Sequence, residues 1–118
     1  MAIKKVKLQK VDLNAGKNIE FVAPDVASDG FAMDFSAQDE RTVFLFQNTS
    51  SSNSTVKVKA GNGIQGANDI EEFTIPANGI AAYRLDSGAF MNVTGENKDC
   101  AVFIPSALTI KGAVIQLP

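Results

Sequence analysis

The 118-residue chain predicts an all-β fold, a single-domain antiparallel β-sandwich of jelly-roll type with about nine short strands. Three observations carry that expectation. β-Branched and aromatic runs recur along the whole chain, turn signals interrupt them about every 8 to 12 residues, and helical periodicity is nearly absent. The length suits one domain with its own core. A hydrophobic content of 45% and a formal net charge of −2 are ordinary for a globular protein.

Residues 1–17 read as a basic N-terminal arm or first strand, and residues 18–118 as the sandwich domain. In "AIKKVKLQKVDL" the apolar residues Ile3, Val6, Leu8, Val11 and Leu13 stand among lysines, with a one-residue slip after Ile3 that suggests a bulge. "NAGKN" then turns the chain into a short strand, "IEFVAP". The stretch "PDVASDGFAMDFSAQDE" has an irregular pattern and reads as a long loop. "TVFLFQN", residues 42–48, is apolar, β-branched or aromatic up to its last two residues, which suits a central strand of the core. The polar "NTSSSNST" forms a hairpin tip before "STVKVKA", where Val56 and Val58 alternate with Lys57 and Lys59. "EEFTIP", the Asn78-Gly79 turn, "IAAYRL", "AFMNV", "CAVFIP" and "ALTIKGAVIQLP" supply the remaining strands. Phe44, Phe46, Val56, Val58, Phe73, Ile75, Leu85, Phe103, Ile110 and Val114 form the expected core.

"AGNGIQG" places Gly61, Gly63 and Gly66 in the G-x-G-x-x-G spacing of a dinucleotide site. That fingerprint works only where a strand runs in and a helix starts from it. Here Ile70, Phe73 and Ile75 lead straight to Pro76 and a turn, which leaves too little chain for a crossover helix. The glycines are expected to shape a loop between antiparallel strands, with no cofactor such as NAD, FAD or ATP.

Catalytic chemistry is poorly provided. Histidine is absent and Cys100 is the single cysteine, which removes the commonest general base and a zinc constellation. The serines of the hairpin tip have no base to activate them. The sequence therefore reads as a non-enzyme. Asp25, Asp29, Asp34 and Asp39 recur around Gly30, yet Ala27 and Ser36 stand where an EF-hand needs ligands; the stretch reads as a solvated acidic loop with no metal, an irregular calcium site being the alternative. Asn48, Asn53 and Asn92 head three N-x-S/T triplets, read as turn chemistry. No run is apolar and long enough for a membrane helix, and "MAIKKVKLQK" has neither the apolar core nor the cleavage site of a secretory signal.

Charge is distributed in blocks. Residues 1–17 hold Lys4, Lys5, Lys7, Lys10 and Lys17 against Asp12, a net +4; residues 20–40 hold Glu20, Asp25, Asp29, Asp34, Asp39 and Glu40 with no base, a net −6. Lys4, Lys5, Lys7 and Lys10, with Asp25, Asp29 and Asp34, are thus the candidate interaction residues. The two blocks can pair within one chain, or the basic arm can reach a neighbour's acidic loop. The negative overall charge, and lysines not interleaved with aromatics, argue against nucleic acid.

The run "DERTVFLFQNTSSSNSTVKVKAGN", then "FTIPANGIAAYRLDSGAFMN" and the closing "ALTIKGAVIQLP", resembles a group of small β-rich proteins encoded among tailed-phage structural genes. "PANG" stands where that group has a paired-glycine turn, and the start is richer in lysine. The resemblance implies a virion component made in the bacterial host cytoplasm: a capsid decoration or cement protein that binds and stabilises the outside of the head. Its implied partners are the major capsid protein and copies of itself, with a trimer the suggested form, and no membrane, nucleic acid or small-molecule substrate. A tail or fibre module and a carbohydrate-binding adsorption module share the same architecture.

Overall fold

The computed structural model describes residues 3–63 and 70–118. They fold into two packed sheets with nine strands: β1 (Lys4–Val6), β2 (Leu8–Lys10), β3 (Phe31–Asp34), β4 (Thr42–Asn48), β5 (Ser54–Val58), β6 (Ile70–Ile75), β7 (Ile80–Tyr83), β8 (Cys100–Pro105) and β9 (Ile110–Gln116). The first sheet has the order β1-β3-β8-β5-β6 and the second β2-β9-β4-β7. The sandwich is therefore all-β, as the patterning predicts.

Both sheets are mixed rather than purely antiparallel. β1 runs parallel to β3, and β2 parallel to β9, while the other pairs are antiparallel. The slip after Ile3 is not a bulge, since Ile3 precedes β1 and the register of β1 with β3 is regular from Lys4 to Val6. At Lys7 the chain leaves the first sheet and joins the second, so Val6 and Leu8 bury against one core from opposite layers. This crossing closes one side of the sandwich. β6 and β7 close the other through the turn Pro76-Ala77-Asn78-Gly79, in which Gly79 N donates to Pro76 O at 2.9 Å. Asn78 takes the left-handed position, φ 56°, a role asparagine fills with little strain.

Three segments depart from the sequence expectation. Residues 31–34 lie inside the stretch read as a loop, yet they form β3, a central strand whose Phe31, Ala32 and Met33 are buried. Apolar residues at both faces hide the period-2 signal there. "AFMNV" is not a strand, because Asp86 caps a short helical turn, Ser87–Phe90, by accepting from Gly88 N. "IEFVAP" contributes a single bridge, Val22 to Gly112.

The core is aromatic. Phe44 meets Phe35 edge-on with centroids 5.1 Å apart and Phe103 at 5.0 Å; Phe46 meets Phe103 at 4.9 Å and Phe73 at 5.9 Å. Every expected core residue is buried except Phe73, which is half-buried and packs against the core from the edge strand β6. There its ring lies 4.7 Å from that of Tyr83 on β7, which seals the gap between the two sheet edges.

Candidate interaction surface

The basic segment is built into the sheets. β1 pairs residue for residue with β3, Lys4 with Phe31 and Lys5 with Ala32, and Lys4 N donates to Gly30 O at 2.9 Å. Because Gly30 and Asp34 bracket β3, the basic block lies against part of the acidic block of the same chain. Lys5 Nζ is held by Glu96 O at 2.6 Å and Asn97 Oδ1 at 3.0 Å. Lys5, Lys7 and Asp34 line one shallow groove with Lys98, Asp99 and Cys100. Lys4, Lys5 and Lys7 line a second with Gln9, Glu20 and Val22. Lys10 ends β2, exposed and outside both grooves. Asp25 is exposed, and Asp29 half-buried, in the turn where Asp29 N donates to Val26 O. Asp34 is committed locally, since one of its oxygens accepts from both the backbone N–H and the hydroxyl of Ser36.

A second surface escapes the sequence reading. β4 is the strand whose apolar run suits the centre of the core, and its burial alternates strictly: Thr42, Phe44, Phe46 and Asn48 are buried, while Val43, Leu45 and Gln47 point outward and stay half-buried. The register carries this outer row across the sheet. Val43 lies beside Ile115, Leu45 lies between Ala82 and Ala113, and Gln47 lies between Ile80 and Lys111. Ile80 is 62% exposed. The outer face of the second sheet is thus apolar at its centre, with Gln9, Gln47 and Lys111 around it. Contiguous outward apolar residues of this kind mark interaction surfaces. The signal was present in the sequence, since "TVFLFQN" and "GAVIQL" carry apolar residues at both phases; what hid it is that double burial and a half-buried apolar outer face, here with only Ala113 fully buried within it, give the same pattern.

The glycine loop follows β5 and precedes β6, its antiparallel neighbour, and among the described residues no helix starts from it. Gly61 N donates to Ala89 O at 2.9 Å, and a Cβ at Gly61 would lie 2.5 Å from Met91 O. Close backbone approach to the helical turn explains that glycine. Gly66 lies outside the described residues. Among the described residues, no group of three or more His, Cys, Asp or Glu comes together to hold a metal ion. Asn48 is buried, and its side-chain amide donates to Ser52 O and Ile75 O, which fixes the hairpin tip. Cys100 is half-buried; burial pushes its thiol pKa up, Lys5 opposes this, and Asp34 and Asp99 add to it.

No family model, curated protein or solved structure matches the chain.

Proposed function

We propose that this chain is a non-enzymatic structural protein of a virion, a decoration protein that sits on the outside of a phage head and stabilises it. The observation that carries the proposal is the outward apolar row Val43, Leu45, Ile80, Ala82 and Ile115 on one face of a closed sandwich. A cement protein needs a rigid block with a face that gains from being covered, and the resemblance of residues 39–118 to phage structural proteins supplies the setting. The block measures 40 × 37 × 23 Å, and repetition over a shell lets individually weak contacts add up. Sugar adsorption fits less well. A sugar platform requires an exposed flat aromatic, whereas Tyr83 is half-buried against Phe73.

The test is reconstitution. Heads purified without the protein are mixed with the full chain, sedimented and imaged, then heated. The proposal expects regular density on the capsid exterior and a higher disruption temperature. It also expects Leu45→Lys to fold normally but to lose attachment, because it places a charge in the centre of the apolar row. Density on the tail alone, or a specific glycan hit without head binding, would overturn it.

A further inference from the structure

We infer that the outer edge of β7 pairs with β7 of a second copy of this chain, antiparallel and about a two-fold axis, which joins two second sheets into one. The backbone phase of β7 follows from one hydrogen bond. Asn48 N donates to Gly79 O at 2.9 Å, and this pair continues the register that couples Gln47 with Ile80 and Phe46 with Ala81. Hydrogen-bonded pairs alternate along an antiparallel ladder. Gly79, Ala81 and Tyr83 therefore turn their N–H and C=O groups towards β4, while Ile80 and Ala82 turn theirs outward. Among the described residues no strand pairs with that edge, and both Ile80 and Ala82 are exposed.

The other three edges carry protection of the kind that stops strands from pairing. β1 is three residues long and bears Lys4 and Lys5. β2 is equally short, and its Gln9 side chain exchanges two hydrogen bonds with the backbone of Glu20. β6 carries the exposed Glu72, and its partner ladder shifts register between Val56 and Val58. β7, "IAAY", has no charge, no proline and no bulge.

The occupant is a second copy because the edge is self-complementary. Pairing Ile80 with Ala82 of the partner subunit, and Ala82 with Ile80 of the partner subunit, joins all the outward N–H and C=O groups of both residues. Each large side chain on the outer face then meets a small one. Ala81 faces Ala81 of the partner subunit, Tyr83 faces Gly79 of the partner subunit, and no like charges are opposed. A shift that centres the axis on Ile80 sets two isoleucines against each other. It also needs Asn78 N, which already donates to Ser50 O at 3.0 Å. A shift that centres it on Ala82 recruits Arg84, beyond the end of the strand.

Edge pairing is independent of any role on a phage head, so it is tested on the purified chain alone. Sedimentation equilibrium up to about 1 mM, the weak end of specific association, should show a reversible species of twice the 12.5 kDa monomer. Ala82→Pro removes only an outward-facing N–H, which an edge strand tolerates, and should raise the dissociation constant at least tenfold with an unchanged circular dichroism spectrum. Ile80→Arg, at a 62% exposed position, should do the same and serves if the proline variant does not fold. With Cys100 replaced by alanine, single cysteines at 80, 81 and 82 read the register. Oxidation should cross-link Ala81→Cys best, since non-hydrogen-bonded pairs bring Cα atoms to about 4.5 Å, within disulfide reach. A monomer throughout, a trimer, a dimer indifferent to both edge variants, or cross-linking best at 80 or 82 would overturn the assignment.

Discussion

Phe44 is fully buried and wedged between Phe35 and Phe103, which belong to different segments of the opposing layer. Truncating such a side chain removes its transfer energy and leaves a cavity that stiff neighbouring rings cannot fill. Phe44→Ala should therefore cost about 3–5 kcal/mol, read from the urea midpoint at constant m-value. Cys100 offers a test of local electrostatics. Its thiol stays protonated to higher pH in the folded chain than in the unfolded one, chiefly through burial. As pH rises past the ordinary thiol range, the unfolded chain loses its proton first, so stability should fall with pH through that window. Lys5 is the group that opposes the shift. Lys5→Met should push the thiol higher still and slow its reaction with a disulfide reagent at pH 8, and faster labelling in the folded variant would contradict the assigned cause. The core positions Val56, Val58 and Ile75 were legible in the sequence because polar residues alternate with them. Phe31, Met33 and Phe35 were not, since the buried Ala32 between Phe31 and Met33 removes the alternation that identifies a strand.

The glycine-rich segment shows what an element can and cannot reveal before it is folded. That the segment joins antiparallel strands was legible, because Pro76 follows too soon for a crossover helix, and β5 and β6 do pair antiparallel. Which glycine matters was not, because that depends on where residues 89–91 lie in space. Gly61 sits against Met91 O, whereas a Cβ at Gly63 would meet only Val93 methyl groups at ordinary contact distances, 3.5 and 3.7 Å. Gly61→Ala should accordingly destabilise by about 1–3 kcal/mol, and Gly63→Ala should stay within about 0.5 kcal/mol of the parent. Thermal melts of the two variants side by side provide the comparison. Gly30 is a third kind of case. Its φ of +68° and the approach of Phe103 O fix the turn that launches β3, a strand the local sequence does not announce. The sheet switch at Lys7 was equally hidden, since Val6 and Leu8 keep the two-residue spacing of one continuous strand.

At the scale of the molecule, the N-terminal segment and the candidate docking face make opposed demands on one experiment. Val6 is buried and Leu8 packs on the core, each contributing up to about 1.5–3 kcal/mol by burial, and β1 and β2 complete both sheets on one side of the sandwich. Deleting residues 1–10 should therefore abolish the cooperative melt, so loss of particle binding in that deletion would say nothing about an interface. Charge neutralisation separates the two roles. Lys5, Lys7 and Lys10 are exposed, and exposed pairs contribute about 0–1 kcal/mol each, so changing all three to glutamine should leave the melt nearly unchanged. Within the groove that Lys5 and Lys7 share with Lys98, Asp34 and Asp99, the two carboxylates offset two of the three ammonium groups inside one chain, which weakens the field offered to a partner. If attachment to heads runs through the apolar face of the second sheet, the glutamine variant should bind heads within tenfold of the parent and with little salt dependence, while Leu45→Lys should not bind. If it runs through the lysines instead, the order of the two variants reverses, and attachment of the parent should collapse near 1 M salt, where screening shortens to about 3 Å.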